Sequence, residues 1–570
     1  MTSDDEDEEL RRAIALSLQD VHGSPLPSDN MASRDVNKSN VNNNTANGKK
    51  ESAAMIQYGA SQASAPHKRR HSSSTISIES DDAGSKKQKL DLEDRKSSPA
   101  RPDAPPPFPN VRGLLRKTWV FGQPRDNDIK IEEVLRPSDL RLAVLSAFQW
   151  DMEWILNKVK PTTKLVFVME AKEEEVRKQW RTDADHYKNL VLCFPPMPGQ
   201  VNRMHSKLML LSFENWIRVV IPTANLVPYD WGESANPNNR VSGVMENSLF
   251  LIDLPRRSDG KLTARKDLTD FGRELLSFCE SSTFPPYVID GLLKFDYTNT
   301  KHIQFVHSVG GSHIVGPAET GLFGLSRSVR NLGMEVERRK ALFVQPSTAK
   351  GSEVHVDYAT ASLGALNYPF ISTFYDALLG REVKQPTKGA TSNPIQLLKR
   401  VFRIFFPTYD TVATSTKGTD SGGTIFLMSK WWNADTFPKE LMRDHVSRRA
   451  GILSHSKMIL VRHVSVASQG DASSSRGAGS IDPAYLYVGS HNLSESAWGK
   501  LVTDRATKKL KINCANWECG VIFRIASPEQ KGEELDFALC EGGSLDSIPW
   551  ELPGRPYENH RPWFCMEDFP

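Results

Sequence analysis

The chain has 570 residues, 39% of them hydrophobic and 25% charged, with a net charge of +3. That length allows more than one domain, and the near-neutral balance excludes a globally polyanion-binding surface, so any basic site has to be local. No apolar run reaches membrane length and the N-terminus has no signal-peptide core, so we expect a soluble, non-secreted protein without membrane partners. The six cysteines, Cys193, Cys279, Cys514, Cys519, Cys540 and Cys565, form no C-x-x-C pair, which fits reduced structural thiols.

Residues 1–20, MTSDDEDEELRRAIALSLQD, are acidic and then amphipathic, with Leu10, Ala13, Ile14 and Ser17 on one face of an expected helix. Residues 21–107 are rich in Ser, Asn, Ala, Pro and charge. Such a segment cannot bury enough apolar area to offset its ordering entropy, so a disordered linker is expected. It carries two basic clusters, HKRR (67–70) and KKQK (86–89), spaced like a two-part nuclear import signal, and TISIESDD (75–82), which reads as a SUMO-interacting strand or an acidic phosphorylation site. PDAPPPFP (102–109) closes it as a stiff hinge.

From residue 108 the pattern is globular. SDLRLAVLSAFQWDMEWILNKV (138–159) has helical apolar spacing, with Ser138 as the expected N-cap. Strands are expected at 164–170, 189–194, 207–213, 216–222 and 248–254, then at 341–347, 424–429, 457–464, 485–490 and 518–525. The Gly- and Ser-rich stretches at 417–423 and 468–480 read as exposed loops. The alternation of elements predicts an α/β fold with mixed sheets.

The two halves repeat a motif. MHSKLML (204–210) returns as SHSKMIL (454–460), and each copy is followed by [S/T]-x-N-L-x-x-x-x-W-G: TANLVPYDWG (223–232) and SHNLSESAWG (490–499). Lys-to-Asn spacing is 18 residues in the first copy and 35 in the second, an excess that one loop insertion around 465–483 accounts for. A duplicated domain with pseudo-two-fold symmetry is expected, with halves at 108–335 and 336–570.

Alternate residues of a strand share a face, so His205 and Lys207 are expected to point together, as are His455 and Lys457. With Asn225 and Asn492 they would place two imidazoles, two ammoniums and two carboxamides in one cleft. Ammonium groups repel cations, so no metal or cofactor is expected there. The set suits a phosphate: lysines neutralise charge, amides donate hydrogen bonds, and opposed imidazoles permit in-line displacement by a nucleophile and an acid. Glu518 is a candidate to orient one imidazole, and Glu246 or Asn247 the other. Lys430, Trp431, Trp432 and Ser308 are candidates for DNA contact, the aromatics by stacking on bases. His307, His313 and His491 are expected to pack or lie on the surface.

At these residues the chain resembles the phospholipase D superfamily. The Asn in place of the usual Asp after each Lys makes it similar to the tyrosyl-DNA phosphodiesterase family. HIQFVHSVGG, FPTYDTVATSTKGTDSGGTIF and WECGVIF also resemble that family, and the likeness covers about 110–570. It implies a metal-independent phosphodiesterase acting on 3′-blocked DNA that carries a tyrosyl peptide from a stalled type IB topoisomerase. It implies His205 as nucleophile forming a phosphohistidine, His455 as acid and then base, the lysines and asparagines as phosphate ligands, and Glu518 as orienter. The first-half orienter departs from the family's more usual Gln. Residues 1–20 resemble a ubiquitin-interacting motif, implying ubiquitin or ubiquitylated proteins as partners. A nuclear monomer is expected. Two rival readings stay open: a broader 3′-end nuclease, and a non-catalytic DNA-end or ubiquitin adaptor on the same fold.

Overall fold

A computed structural model describes residues 110–199, 201–233, 245–314, 320–336, 351–385, 392–466, 481–525, 540 and 544–569. The N-terminal 1–20 segment with Leu10, Ala13, Ile14 and Ser17, the linker, the strand expected at 341–347 and the loop expected at 468–480 lie outside the described residues.

The first half contributes β1 (Leu114–Thr118), β2 (Asp128–Ile129), β3 (Leu142–Ser146), β4 (Lys164–Val168), β5 (Leu190–Cys193), β6 (Arg203–Met204), β7 (Leu208–Ser212), β8 (Trp216–Pro222), β9 (Met245–Glu246) and β10 (Ser248–Pro255). Then follow β11 (Ile303–Ser308), β12 (Gly311–Ile314), β13 (Gly351–Ala359), β14 (Phe402–Phe406), β15 (Met442–Asp444), β16 (Leu453–Ser454), β17 (Met458–Val466), β18 (Ile481–Gly489), β19 (Lys500–Thr503), β20 (Leu510–Cys514) and β21 (Asn516–Ile525).

One sheet has the order β2-β1-β10-β8-β7-β3-β4-β5 and the other β11-β21-β18-β17-β13-β14-β15, so the fold is α/β with mixed sheets. Without β2 the two orders match strand for strand. Each runs through four antiparallel pairs and then two parallel ones. β11 belongs to the second sheet although it precedes residue 335, so sheet membership changes between Pro255 and Ile303 rather than at the expected boundary. The helix Gly321–Asn331 likewise buries Leu322, Leu325 and Val329 in the second half's core.

The strands explain the layering. In β8, Ile217, Val219 and Ile221 enter the core shared by the two sheets, while Trp216 and Val220 enter the opposite core beneath the helix Ile131–Leu135. Both faces are covered, so β8 and β10 read as continuous apolar runs instead of alternating ones. Arg218 is tolerated there because its guanidinium donates to both oxygens of buried Asp253, at 2.7 and 2.9 Å.

Three sequence expectations are corrected. The helix expected over 138–159 is β3 followed by a short helix, Met152–Asn157, capped by Asp151, whose side chain accepts from the Trp154 N–H. Val144 faces one core and Ala143 and Leu145 the other. Burial of a full side chain contributes about 1.5–3 kcal/mol, against less than about 1 kcal/mol of helix propensity per residue, so sheet insertion wins. The strand expected at 424–429 forms only an isolated bridge, Ser362 to Phe426, before the short helix Ser429–Trp432. The stretch 417–423 is not an exposed loop: Ser421 and Gly422 are buried, and a Cβ at Gly422 would meet the Trp563 ring at 2.2 Å.

Candidate active site

The repeated His-Ser-Lys segments do not lie within regular strands. Residues 205–207 bridge β6 to β7, and 455–457 bridge β16 to β17. β6 pairs with β21 of the second half, and β16 with β9 of the first, both parallel. The crossing is reciprocal: His205 N–H donates to Trp517 O at 3.0 Å, and His455 N–H donates to Glu246 O at 2.9 Å. Each histidine backbone is therefore fixed by the opposite half. Of the central serines only the second crosses: Ser456 Oγ lies 3.1 Å from Ser248 Oγ of the first half, whereas Ser206 Oγ lies 3.3 Å from Ser146 Oγ within its own half.

The two lysines are wholly buried, and each ammonium donates to the carbonyl of the histidine two residues before it: Lys207 to His205 O at 2.9 Å, Lys457 to His455 O at 2.6 Å. Neither forms a carboxylate ion pair among the described residues. Burial brings Lys207 down to about 8, against the pull of Glu518 and Asp230. Burial and then Lys207 hold Lys457 well below its ordinary value. Two buried, like-charged ammoniums with no carboxylate in direct contact are costly, and an anion between them would relieve that cost.

Asn225 and Asn492 are placed alike. Asn225 Oδ1 accepts from Gln149 N–H at 3.3 Å, and Asn492 Oδ1 accepts from Ser362 N–H at 3.1 Å. Those donors occupy equivalent positions in the turns after β3 and β13. Each amide oxygen is thus occupied, which leaves the Nδ2 side of each group as the donor side. Asn225 Nδ2 is already 3.2 Å from Gln149 Oε1, which also accepts from Tyr229 Oη at 2.9 Å.

The histidines are held by carboxylates from the opposite half. His205 Nδ1 lies 2.8 Å from Glu518 Oε2. Ser490 Oγ also donates to that oxygen, and Asn516 Nδ2 donates to Oε1 at 3.1 Å. Burial raises Glu518, while His491 and Lys207 pull it back. Burial, then Lys207 and Lys457, hold His205 well below its usual value, so the free ring is neutral. The Phe148 ring lies 5.3 Å away at a 50° tilt.

For His455 the carboxylate is Asp230, which the sequence reading missed. Nδ1 lies 3.2 Å from Asp230 Oδ2, without an aligned N–H···O bond. Burial pushes Asp230 up, but His455, the Asn225 N–H at 2.6 Å and Lys457 outweigh it and hold it below its usual range. Burial and Lys457 bring His455 down to about 4 despite Asp230.

Neither expected first-half orienter touches the His455 ring. Glu246 binds Arg449 at 3.2 Å and accepts from Ser447 Oγ at 3.0 Å. Asn247 braces the Asp230 turn: its Oδ1 accepts from Thr223 Oγ1 at 2.8 Å and its Nδ2 donates to Asp230 O at 3.0 Å. The DNA candidates are placed otherwise as well. Ser308 is fully buried, accepting from His491 Nε2 at 3.0 Å and donating to Ala497 O at 2.6 Å. His491 stacks on Trp498 at 4.0 Å and is a core histidine. Trp431 packs edge-on against Phe426, and Trp432 against Phe437 and Tyr557, with Lys439 over its ring. Their faces are thus largely taken up by packing, and Lys430 sits on the same short helix. Among the described residues no three His, Cys, Asp or Glu side chains group as metal ligands.

Comparison with known proteins adds to this geometry. The family model for tyrosyl-DNA phosphodiesterase matches residues 114–558, and that for the ubiquitin interaction motif matches residues 5–21. Tyrosyl-DNA phosphodiesterase 1 of Arabidopsis thaliana is 22% identical over 420 residues, 69% of this chain and 58% of that protein. A probable tyrosyl-DNA phosphodiesterase of Caenorhabditis elegans is 22% identical over 362 residues, 61% of this chain and 68% of that protein. The chain therefore spans little more than half the length of the Arabidopsis relative. The crystal structure of a yeast tyrosyl-DNA phosphodiesterase superposes with a TM-score of 0.55 at 15% identity, over 79% of this chain and 100% of that one, a likeness of fold.

Proposed function

The chain belongs to the tyrosyl-DNA phosphodiesterase family, and from that membership we propose that it hydrolyses the 3′-phosphotyrosyl bond left on DNA by a stalled type IB topoisomerase. The observation that carries the reading is the pair of imidazoles, each held at Nδ1 by a carboxylate of the opposite half, around two unpaired ammoniums.

The phosphodiester anion binds between Lys207 and Lys457, with Asn225 and Asn492 donating to its non-bridging oxygens. Glu518 accepts the Nδ1 proton of His205, so Nε2 carries the lone pair. That nitrogen attacks phosphorus, the P–O bond to tyrosine breaks, and His455 donates its Nε2 proton to the leaving oxygen. In the free site His455 is neutral. The bound anion offsets the repulsion from Lys457 and Lys207, so binding itself charges the acid, with Asp230 stabilising the imidazolium. Neutral His455 next takes a proton from water, hydroxide attacks phosphorus, and the P–N bond breaks to give a 3′-phosphate and free His205. The ammoniums carry the charge stabilisation a metal supplies elsewhere, so we propose turnover without one.

The ubiquitin interaction motif at 5–21 supports binding of ubiquitin or ubiquitylated proteins. The basic clusters at 67–70 and 86–89 support a nuclear location, and the site needs only one chain, so we propose a monomer. The test is a single-stranded 3′-phosphotyrosyl oligonucleotide incubated with the full chain and EDTA. Release of tyrosine is expected. No release under any condition overturns the reaction in favour of an adaptor, and a requirement for Mg²⁺ overturns the mechanism.

A further inference from the structure

Glu246 was expected to face an imidazole, yet its side chain is spent on Arg449. We propose that the Glu246–Arg449 pair is a positioning device for His455, acting chiefly on breakdown of the covalent intermediate. This rests on the reaction proposed above.

Arg449 lies six residues before His455, on the segment that runs into β16. Its guanidinium crosses to the first half, donating to Thr118 O at 2.8 Å and Asp128 Oδ2 at 3.0 Å, and lies 3.2 Å from Glu246 Oε2. Ser447 Oγ donates to Glu246 Oε1 at 3.0 Å and accepts from Arg449 N–H at 3.0 Å. The Glu246 carbonyl holds His455 N–H, and the next residue, Asn247, holds the Asp230 turn whose carboxylate faces the same ring. One dipeptide of the first half therefore grips the segment before the histidine, the histidine backbone, and the turn that orients its ring.

The opposite crossing is built without an ion pair between the halves: its Arg203–Glu170 pair, at 3.2 Å, lies within the first half. There the equivalent residue is Trp517, whose carbonyl accepts from His205 N–H while its indole packs in the core and donates to Pro196 O at 3.0 Å. An apolar joint is the more stabilising choice for a buried position, because two charges have to be stripped of water. The Arg449 guanidinium, forked between Thr118 O and Asp128 Oδ2 with the Glu246 carboxylate as a charge contact beside it, instead sets direction. The directional joint lies on the side of the histidine that has to activate water. Phenol, with a pKa of about 10, leaves with modest help, whereas water, a far weaker acid, needs a well-aimed base. Loosening His455 should therefore slow hydrolysis of the phosphohistidine more than its formation.

The experiment uses the full chain and a 3′-phosphotyrosyl oligonucleotide, with Glu246→Gln, Arg449→Met, their double variant and Arg449→Lys. Tyrosine burst, steady-state rate, KM and the covalent protein–DNA adduct on denaturing gels are read together. We expect kcat to fall about 10- to 100-fold in the single variants, as a misplaced catalytic group would cause. KM should fall alongside kcat, leaving kcat/KM within about 3-fold, because substrate binding and adduct formation are untouched, with a preserved burst and an accumulating adduct. The double variant should be no worse than Arg449→Met, and Arg449→Lys should recover part of the rate. The proposal is overturned by wild-type kcat in the variants, or by burst and steady state falling together without adduct. The second pattern with a lowered Tm marks a merely structural pair. A wild type that releases no tyrosine sinks the parent reaction, and the clamp with it, in a lane of its own.

Discussion

The two halves agree at the lysines and asparagines and disagree at the carboxylates that face the imidazoles. Strand order, the buried lysines and the asparagine amides with their backbone donors repeat closely. The carboxylates do not. The second half orients His205 with Glu518 on β21, where the first half has Asn247 at the equivalent place. The first half orients His455 with Asp230 in the turn after Asn225, where the second has Ala497. In the reaction proposed above, a phosphate between the two halves asks the same geometry of both, so its ligands stay alike. A nucleophile and an acid–base ask for different proton affinities, so their partners drift apart.

That contrast can be broken at several depths. The largest effect is expected from the histidines themselves. His205→Ala should abolish turnover and leave no adduct, whereas His455→Ala should form the adduct and then stall, with kcat down by about 10⁴ or more. Equal behaviour of the two variants in a single-turnover adduct assay would remove the division of roles. Next come Lys207→Ala and Lys457→Ala, each expected to lower kcat/KM by about 10²–10³, as loss of one oxyanion donor does elsewhere. Here the halves should match, and a tenfold gap between them would show that the cradle is not shared evenly. Glu518→Gln and Asp230→Asn should each cost about 10²-fold. The first should slow adduct formation and the second adduct breakdown, as quenched-flow gels would resolve.

The pH dependence of stability is a smaller test. Burial brings His445, in the second half, down to about 4, while the unfolded chain titrates near 6.5. Its neutral form is favoured only in the folded state, so its contribution is complete above pH about 6.5 and is lost as pH falls towards 4. The loss is about 3 kcal/mol at most. Urea midpoints between pH 7 and 4.5 should fall, and His445→Gln should flatten that slope. The smallest effect is expected at Lys430, where Ala should change kcat less than about threefold and reduce the salt slope of DNA binding by about 1 if the ammonium meets phosphate.

The sequence disclosed the residues that repeat and hid those that do not. His205, Lys207 and Asn225 stand out because His455, Lys457 and Asn492 restate them at the same spacing. Asp230 sits in the variable gap of N-L-x-x-x-x-W-G, opposite an alanine, so reasoning by repetition passed over it. Reasoning by symmetry from Glu518 pointed instead to Asn247. The signal that could have found it is a lone acidic residue just before W-G, close in sequence to a phosphate ligand. Strands failed in a similar way. Leu142–Ser146 is buried on both faces, and a run of apolar residues without alternation carries no period to separate it from a helix. The interleaving of 203–204 with β21 and 453–454 with β9 has no local sequence signature, because it depends on the partner half.

That interleaving has a consequence for how the protein could be taken apart. Each half lends the carbonyl that holds the other's histidine, and each lends the carboxylate that orients it. A chain cut between the two sheets would give fragments that each retain a lysine and an asparagine but have no means of aiming an imidazole. Activity would then appear only on mixing, rising with the concentration of the scarcer fragment.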